Sequence, residues 1–201
     1  MRLYLSMLVM SLLVWDLNLP AQTVPAGQQE DYVIPHDPRR DSWQKPDEVI
    51  KALNFSGSET VAVIENGYPY FAPRIAPLVK KVYAVNTDPR AFQGRGSLPP
   101  SVSPIVATSA NPSLAKLDID VIVMIDVLRL LPNRPAYFLA LALALNPRGR
   151  VAIIDRIFPS VFPASEITTP AGIQGDLNLA GFGFVQSLNT LPYQYFIVLQ
   201  R

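Results

Sequence analysis

The chain has no cysteine. That excludes a disulfide framework, a thiolate nucleophile and a lipid attached through a cysteine thiol; it is compatible with export without requiring it. Histidine is almost as scarce: His36 is the only one. It sits in a polar stretch with no second nitrogen or sulfur ligand to join it, so it reads as a surface residue and no metal site is expected. Charge of one sign is missing too. Lys and Arg number 17 against 16 Asp and Glu, a formal net charge of +1, which leaves no electrostatic footprint for nucleic acid or anionic lipid. Proline, by contrast, is plentiful. Its 20 residues are roughly twice average usage, so the connections should be extended and stiff.

The N-terminus divides from the rest by composition. Arg2 precedes an apolar run from Leu3 to Trp15, followed by Asp16 and by the small-residue phrases Leu19-Pro20-Ala21 and Val24-Pro25-Ala26. Together these have the layout of a secretory signal. The run is shorter than the roughly 20 residues of a spanning helix, but residues 3–19 would serve as an uncleaved anchor with local thinning of the bilayer. Residues 1–26 are therefore expected to be a signal-like segment or a retained membrane anchor, and the protein to be periplasmic or otherwise extracytoplasmic. Residues 27–40, with Gln28-Gln29-Glu30-Asp31 and Pro35-His36-Asp37-Pro38, read as an extended linker or arm. Residues 41–201 are long enough for one ordinary domain.

The stretch that organises this domain runs from Thr60 to Asp88. An apolar, β-branched run (Val61 to Ile64) enters a turn at Asn66-Gly67, and a second such run (Lys81 to Asn86) follows after a proline-punctuated segment. This is the βαβ pattern of a parallel sheet, and the turn after its first strand is where a ligand would sit. Between the strands, Phe71, Ile75, Leu78 and Val79 fall at helical spacing. Pro69 would open that helix, while Pro73 and Pro77 should leave it late-starting, kinked or short.

The unit T-V-A-V-I-E-N-G-Y-P-Y-F, followed by V-Y-A-V-N, resembles the cofactor-binding unit of class I S-adenosylmethionine-dependent methyltransferases, whose pattern would read V-A-D-I-G-A-G-T-G-Y-F and V-Y-A-V-D here. On that resemblance the family's acidic residue falls on Val63, its three loop glycines on Glu65, Gly67 and Pro69, and its ribose-binding acid on Asn86. Only Gly67 keeps the family's residue. Glycine lets the loop backbone approach the ligand and take positive φ, which glutamate does poorly and proline cannot do. A carboxylate at Glu65 would also meet the cofactor's own carboxylate if it pointed inward. Asn86 offers only a neutral amide.

The remainder fits the same frame. R-D-S-W-Q-K-P-D-E-V-I-K-A-L (Arg40 to Leu53) is an amphipathic helical stretch with Pro46 in its first turn, similar to the opening helix of exported bacterial methyltransferase-like proteins; Trp43 reads as a packing lid. Ile105-Val106-Ala107 suits a third strand, and Asp120 to Asp126 a buried central one. Gln93-Gly94-Arg95-Gly96-Ser97 reads as a loop rather than a phosphate cradle, since it does not end in the Lys-Ser/Thr of a P-loop. L-N-P-R-G-R-V-A-I-I-D, after a helix from about Arg134 to Leu145, is similar to the family's turn and fifth strand. A helix is expected from about Ala171 to Leu179. Gly181 to Ser187 and Tyr193 to Leu199 resemble its terminal antiparallel pair, with Phe182, Phe184, Tyr193, Tyr195 and Phe196 packing on the sheet rather than stacking bases. Asp126 occupies a place where some family members put reaction-site polar groups, and otherwise reads as a strand-end aspartate satisfied by backbone or solvent.

The expected fold is α/β: a Rossmann-like methyltransferase fold with a seven-stranded, mostly parallel sheet, a C-terminal antiparallel hairpin and helices on both faces. The expected function is a non-catalytic methyltransferase-like domain, a structural or interaction subunit of a cell-envelope or membrane assembly with a protein partner. No cofactor, metal or nucleic acid is expected. Two alternatives stand beside it: an S-adenosylmethionine-dependent methyltransferase with an unusual loop, in which Gly67, Asn86 and Asp126 hold the cofactor, and an exported binder of another small molecule.

Overall fold

A computed structural model describes residues 39–93, 98–157 and 169–201. The expected leader, the arm with His36, and Gly94 to Ser97 lie outside the described residues.

Seven strands form one sheet: β1 (Thr60–Glu65), β2 (Lys81–Asn86), β3 (Val102–Val106), β4 (Ile119–Ile125), β5 (Leu145–Arg156), β6 (Gly183–Leu188) and β7 (Gln194–Gln200). Their order is β3-β2-β1-β4-β5-β7-β6. The first five run parallel, and β7 is antiparallel to both β5 and β6. This is the Rossmann-like methyltransferase fold, with its terminal hairpin. Chain order reverses between β1 and β4, so the crevice for a ligand lies beyond the C-terminal ends of those two strands.

The helices are α1 (Arg40–Gln44), α2 (Pro46–Leu53), α3 (Ala72–Ile75), α4 (Arg134–Ala144) and α5 (Pro170–Leu179). Alternation along the central strands divides the apolar residues between two cores. Ala62, Ile64, Ile122, Met124, Val151 and Ile153 face α4 and α5. Val61, Val63, Val121, Val123, Ala152 and Ile154 face α2 and α3. A strand buried on both faces reads as a continuous apolar run, which is why β1 and β4 are plain in the sequence.

Local chemistry explains the element ends. α1 gives way to α2 at Lys45, which adopts φ +45, and Pro46 then supplies the first helical φ without needing a donor. Asn133 caps α4 by accepting the Ala136 N–H at 3.1 Å. α3 is short, as its prolines require: four residues, then a 3₁₀ turn from Ala76 to Leu78.

Four expectations need correction. Pro69 does not open the helix, which starts at Ala72 with Pro73 in its first turn. Phe71 and Ile75 are buried, but Leu78 is exposed because the 3₁₀ turn rotates it off the apolar face. Asn146 to Gly149 is an irregularity inside β5 rather than a turn before it: Leu145 already pairs with Ile119, and the ladder resumes at Arg150 opposite Val121. Among the hairpin aromatics, Phe182, Tyr195 and Phe196 are buried, whereas Phe184 and Tyr193 are exposed on the outer strand and its turn.

Candidate functional site

β1 delivers Glu65 to the mouth of the crevice, where the chain turns sharply and Gly67 takes φ +84. The Glu65 side chain, 4% exposed, does not point into the crevice. It bends back onto the first turn of α3 and accepts the N–H groups of Tyr70 at 3.0 Å, Phe71 at 3.0 Å and Ala72 at 3.4 Å. A buried carboxylate thus satisfies amides that a short helix leaves unpaired. The Arg40 guanidinium stands 3.8 Å away as counter-ion. Burial pushes the Glu65 carboxyl above its usual range, while Arg40 and the three amides pull it back.

Asn86, at the end of β2 and also buried, closes the loop from the other side. Its Nδ2 donates to the Glu65 carbonyl and to the Gly67 carbonyl, each at 2.7 Å, and its Oδ1 accepts the Asp88 N–H at 2.9 Å. The neutral amide expected to face a ligand is therefore spent on the chain. Val63 is 1% exposed in the core under α2 and α3, and Pro69 stays in the turn.

Asp126 follows β4 in a left-handed conformation, φ +54. Its Oδ1 accepts from Gln194 Nε2 at 2.8 Å and faces Arg156 Nε at 3.5 Å; it is held by side chains rather than by backbone or solvent. Its Oδ2 has no hydrogen-bond partner among the described residues. Burial pushes this carboxyl up as well, against the pull of Arg156 and Gln194. The Gln194 amide oxygen accepts from Gln44 Nε2 at 3.1 Å, and Gln44 in turn accepts from Arg40. A buried polar chain, Arg40–Gln44–Gln194–Asp126–Arg156, thereby ties α1 to the ends of β4, β5 and β7. Beside it Asp155 accepts the N–H groups of Leu128 at 3.0 Å and Arg156 at 2.7 Å; burial, then the charge of Asp126, pushes it up to about 6.

α1 is clamped to the loop at its outer end too. The Tyr70 ring lies between the guanidinium groups of Arg40 and Arg74, each 3.9 Å from its centroid, and its hydroxyl donates to Asp41. Arg40, Gln44, Gln194 and Arg156 carried no signal in the sequence: the first two lie in the polar phrase R-D-S-W-Q, and the other two stand at strand ends.

Between the ends of β1, β2 and β4 and the start of α4 a cavity of about 230 Å³ remains, walled mainly by apolar side chains. A depression of about 300 Å³ at the opposite end of the sheet is lined by Glu59, Asp120, Arg148 and Arg150. Its two carboxylates are engaged by Ser56, Gly57, Thr60 and Asn146. Among the described residues no cluster of three metal-ligating side chains occurs, and no helix is long and apolar enough to cross a membrane.

No family model and no curated protein matches the chain. By shape it is similar to a SAM-dependent methyltransferase from Aquifex aeolicus: TM-score 0.70, 20% identity, covering 82% of this chain and 93% of that one. The fold is that of the class I methyltransferases. A methyltransferase from Mesorhizobium loti, dependent on S-adenosylmethionine, agrees at TM-score 0.61 and 12% identity over 77% of this chain and 96% of the other. The 4+2 cyclase SpnF shares the fold as well, at TM-score 0.64 and 9% identity over 79% and 80%.

Proposed function

We propose that this methyltransferase fold has given its cofactor cradle over to its own side chains and serves as a non-catalytic structural or interaction subunit. One observation carries the reading: Glu65 occupies the amides of Tyr70, Phe71 and Ala72, and Asn86 crosslinks the same loop through the carbonyls of Glu65 and Gly67. Binding an adenosyl cofactor with a carboxylate tail would require those bonds to break, and Glu65 would then present a like charge. The two carboxylates nearest the crevice, Glu65 and Asp126, are both held in ion pairs, so neither is a ready general base. Taking residues 1–26 as leader or anchor, the assembly it joins is on the extracytoplasmic side of a membrane, and the partner is a protein.

The second reading, an S-adenosylmethionine-dependent methyltransferase, is favoured by the names of the structural neighbours and by the cavity beside Asn86. Fold alone does not carry the activity, since a cyclase has the same frame. The test is to extract the full chain under gentle conditions and assay it with methyl-labelled S-adenosylmethionine against a lysate. A particle larger than the monomer with no label transfer supports the first reading. Label on any acceptor supports the second.

A further inference from the structure

The end of the sheet remote from the crevice has a different chemistry. The depression of about 300 Å³ there is lined by charges of both signs: Arg148 and Arg150 from β5, Asp120 from β4 and Glu59 just before β1. Its walls are fixed. Asp120 accepts the Thr60 N–H at 2.8 Å and Asn146 Nδ2 at 2.9 Å, which orients the carboxylate while using two of the roughly four bonds it can accept. The irregularity of β5 is pinned as well. Gln200 Nε2 donates to the Arg148 carbonyl at 2.9 Å, and the Arg201 N–H donates to the Gly149 carbonyl at 3.0 Å. In this bend Arg148 takes φ +64, a conformation that glycine or asparagine adopts more readily than arginine. Glycine would serve the backbone better at that position. What arginine adds is a guanidinium at the depression, beside that of Arg150.

We infer that this depression binds a small phosphate ester that also carries an ammonium group, of the phosphoethanolamine type, with its phosphate on Arg148 and Arg150 and its ammonium at Asp120 and Glu59. The charges set the class. A carboxylate is matched by a single guanidinium fork, whereas a phosphate monoester brings three oxygens and about two negative charges, which suits a pair of forks. A plain anion would also meet the field of two carboxylates, as many as there are guanidinium groups in the lining. An ammonium on the same molecule turns that repulsion into attraction. The volume stands at the lower end of the range for small-molecule sites, roughly 300–1,000 Å³. The site lies at the opposite end of the sheet from the cradle and holds whether or not Glu65 and Asn86 keep the cradle closed.

The test uses phosphoethanolamine as probe, titrated into the isotope-labelled full chain and followed by amide chemical shifts. The expected result is saturable shifts at Ser58, Gly149 and Arg150 with a Kd on the order of 0.1–1 mM, fitting a ligand of this size. Inorganic phosphate, which lacks the ammonium, should bind about threefold more weakly. Arg148→Gly should keep or raise the melting temperature, because glycine suits the bend, and yet weaken the probe about tenfold. Arg150→Gln should weaken it to a similar extent. No saturable shifts at those residues, phosphate binding as tight as the probe, or unchanged affinity in both folded arginine variants overturns the inference. Glycerophosphoethanolamine separates the two sources of this chemistry: binding as tight as the probe's assigns the site to a phospholipid head group, and rejection of the diester assigns it to the free monoester.

Discussion

The β1–β2 half of the sheet and the β4–β5 half are built from the same material, Val- and Ile-rich parallel strands buried on both faces, yet their ends have diverged differently from the methyltransferase pattern they resemble. After β5's irregularity the phrase R-V-A-I-I-D keeps that pattern, and what it supplies is a strand. After β1 the phrase E-N-G-Y-P-Y-F departs from it at two of three glycines, and what those positions supply in an active enzyme is room and donors for a ligand. The sheet needs apolar alternation, which both halves retain. The cradle needs free amides and close backbone approach, which only one half was ever asked to provide. On the proposed reading the fold stays intact while its site is filled, and the filler is the Glu65 carboxylate on the amides of Tyr70, Phe71 and Ala72.

Much of this was legible beforehand. The strands and the short α3 followed from apolar runs and proline positions, and the seven-stranded sheet with its terminal hairpin from the family resemblance. That Glu65, Pro69 and Asn86 differ from the family pattern was legible by comparison with it. What they do instead was not. Glu65 reverses onto amides five to seven residues ahead, and Asn86 reaches carbonyls about twenty residues back; both are tertiary facts that spacing does not encode. The relay through Gln44 and Gln194 spans 150 residues and was equally invisible.

The sharpest way to break the contrast is at Arg40, the buried counter-ion shared by Glu65 and the relay. Arg40→Ala should destabilise the domain by about 3–5 kcal/mol at neutral pH, because it leaves a carboxylate buried and unpaired. The loss should shrink as the pH is lowered, since burial favours the protonated Glu65 carboxyl; urea unfolding at neutral and at acidic pH measures both. A loss under about 1 kcal/mol at neutral pH would mean that Arg40 is not the counter-ion.

Asn86→Asp restores the family's acid and should be costly here, about 2–4 kcal/mol, since it removes two donors and sets a carboxylate against two carbonyls. Thermal unfolding reads this directly. An Asn86→Asp variant as stable as the parent would show that the loop opens freely.

Asp155 tests the other half. Its folded pKa, about 6, lies above the ordinary 3.8. The folded state thus binds the proton more tightly; this contribution is fully present below about pH 4 and is lost as pH rises through 6, on the order of 3 kcal/mol in all. The difference in stability between the parent and Asp155→Asn should follow that curve, and a difference independent of pH from 4 to 7 would refute it.

The smallest effect is expected at Gly149, inside the irregularity of β5. A Cβ there would lie 2.8 Å from the Asn146 carbonyl oxygen and 2.9 Å from a Leu145 methyl. Gly149→Ala should cost about 1–3 kcal/mol through the backbone shift it forces, without altering a titration with S-adenosylmethionine. A changed titration would show that the two halves are coupled.

The central claim is that the chain's own side chains hold the cradle shut, and calorimetric titration of the full chain with S-adenosylmethionine and its demethylated product tests it most directly. The account predicts no detectable heat for the parent and measurable binding once Glu65 and Pro69 are both replaced by glycine. Micromolar binding by the parent, about −8 kcal/mol, would contradict it.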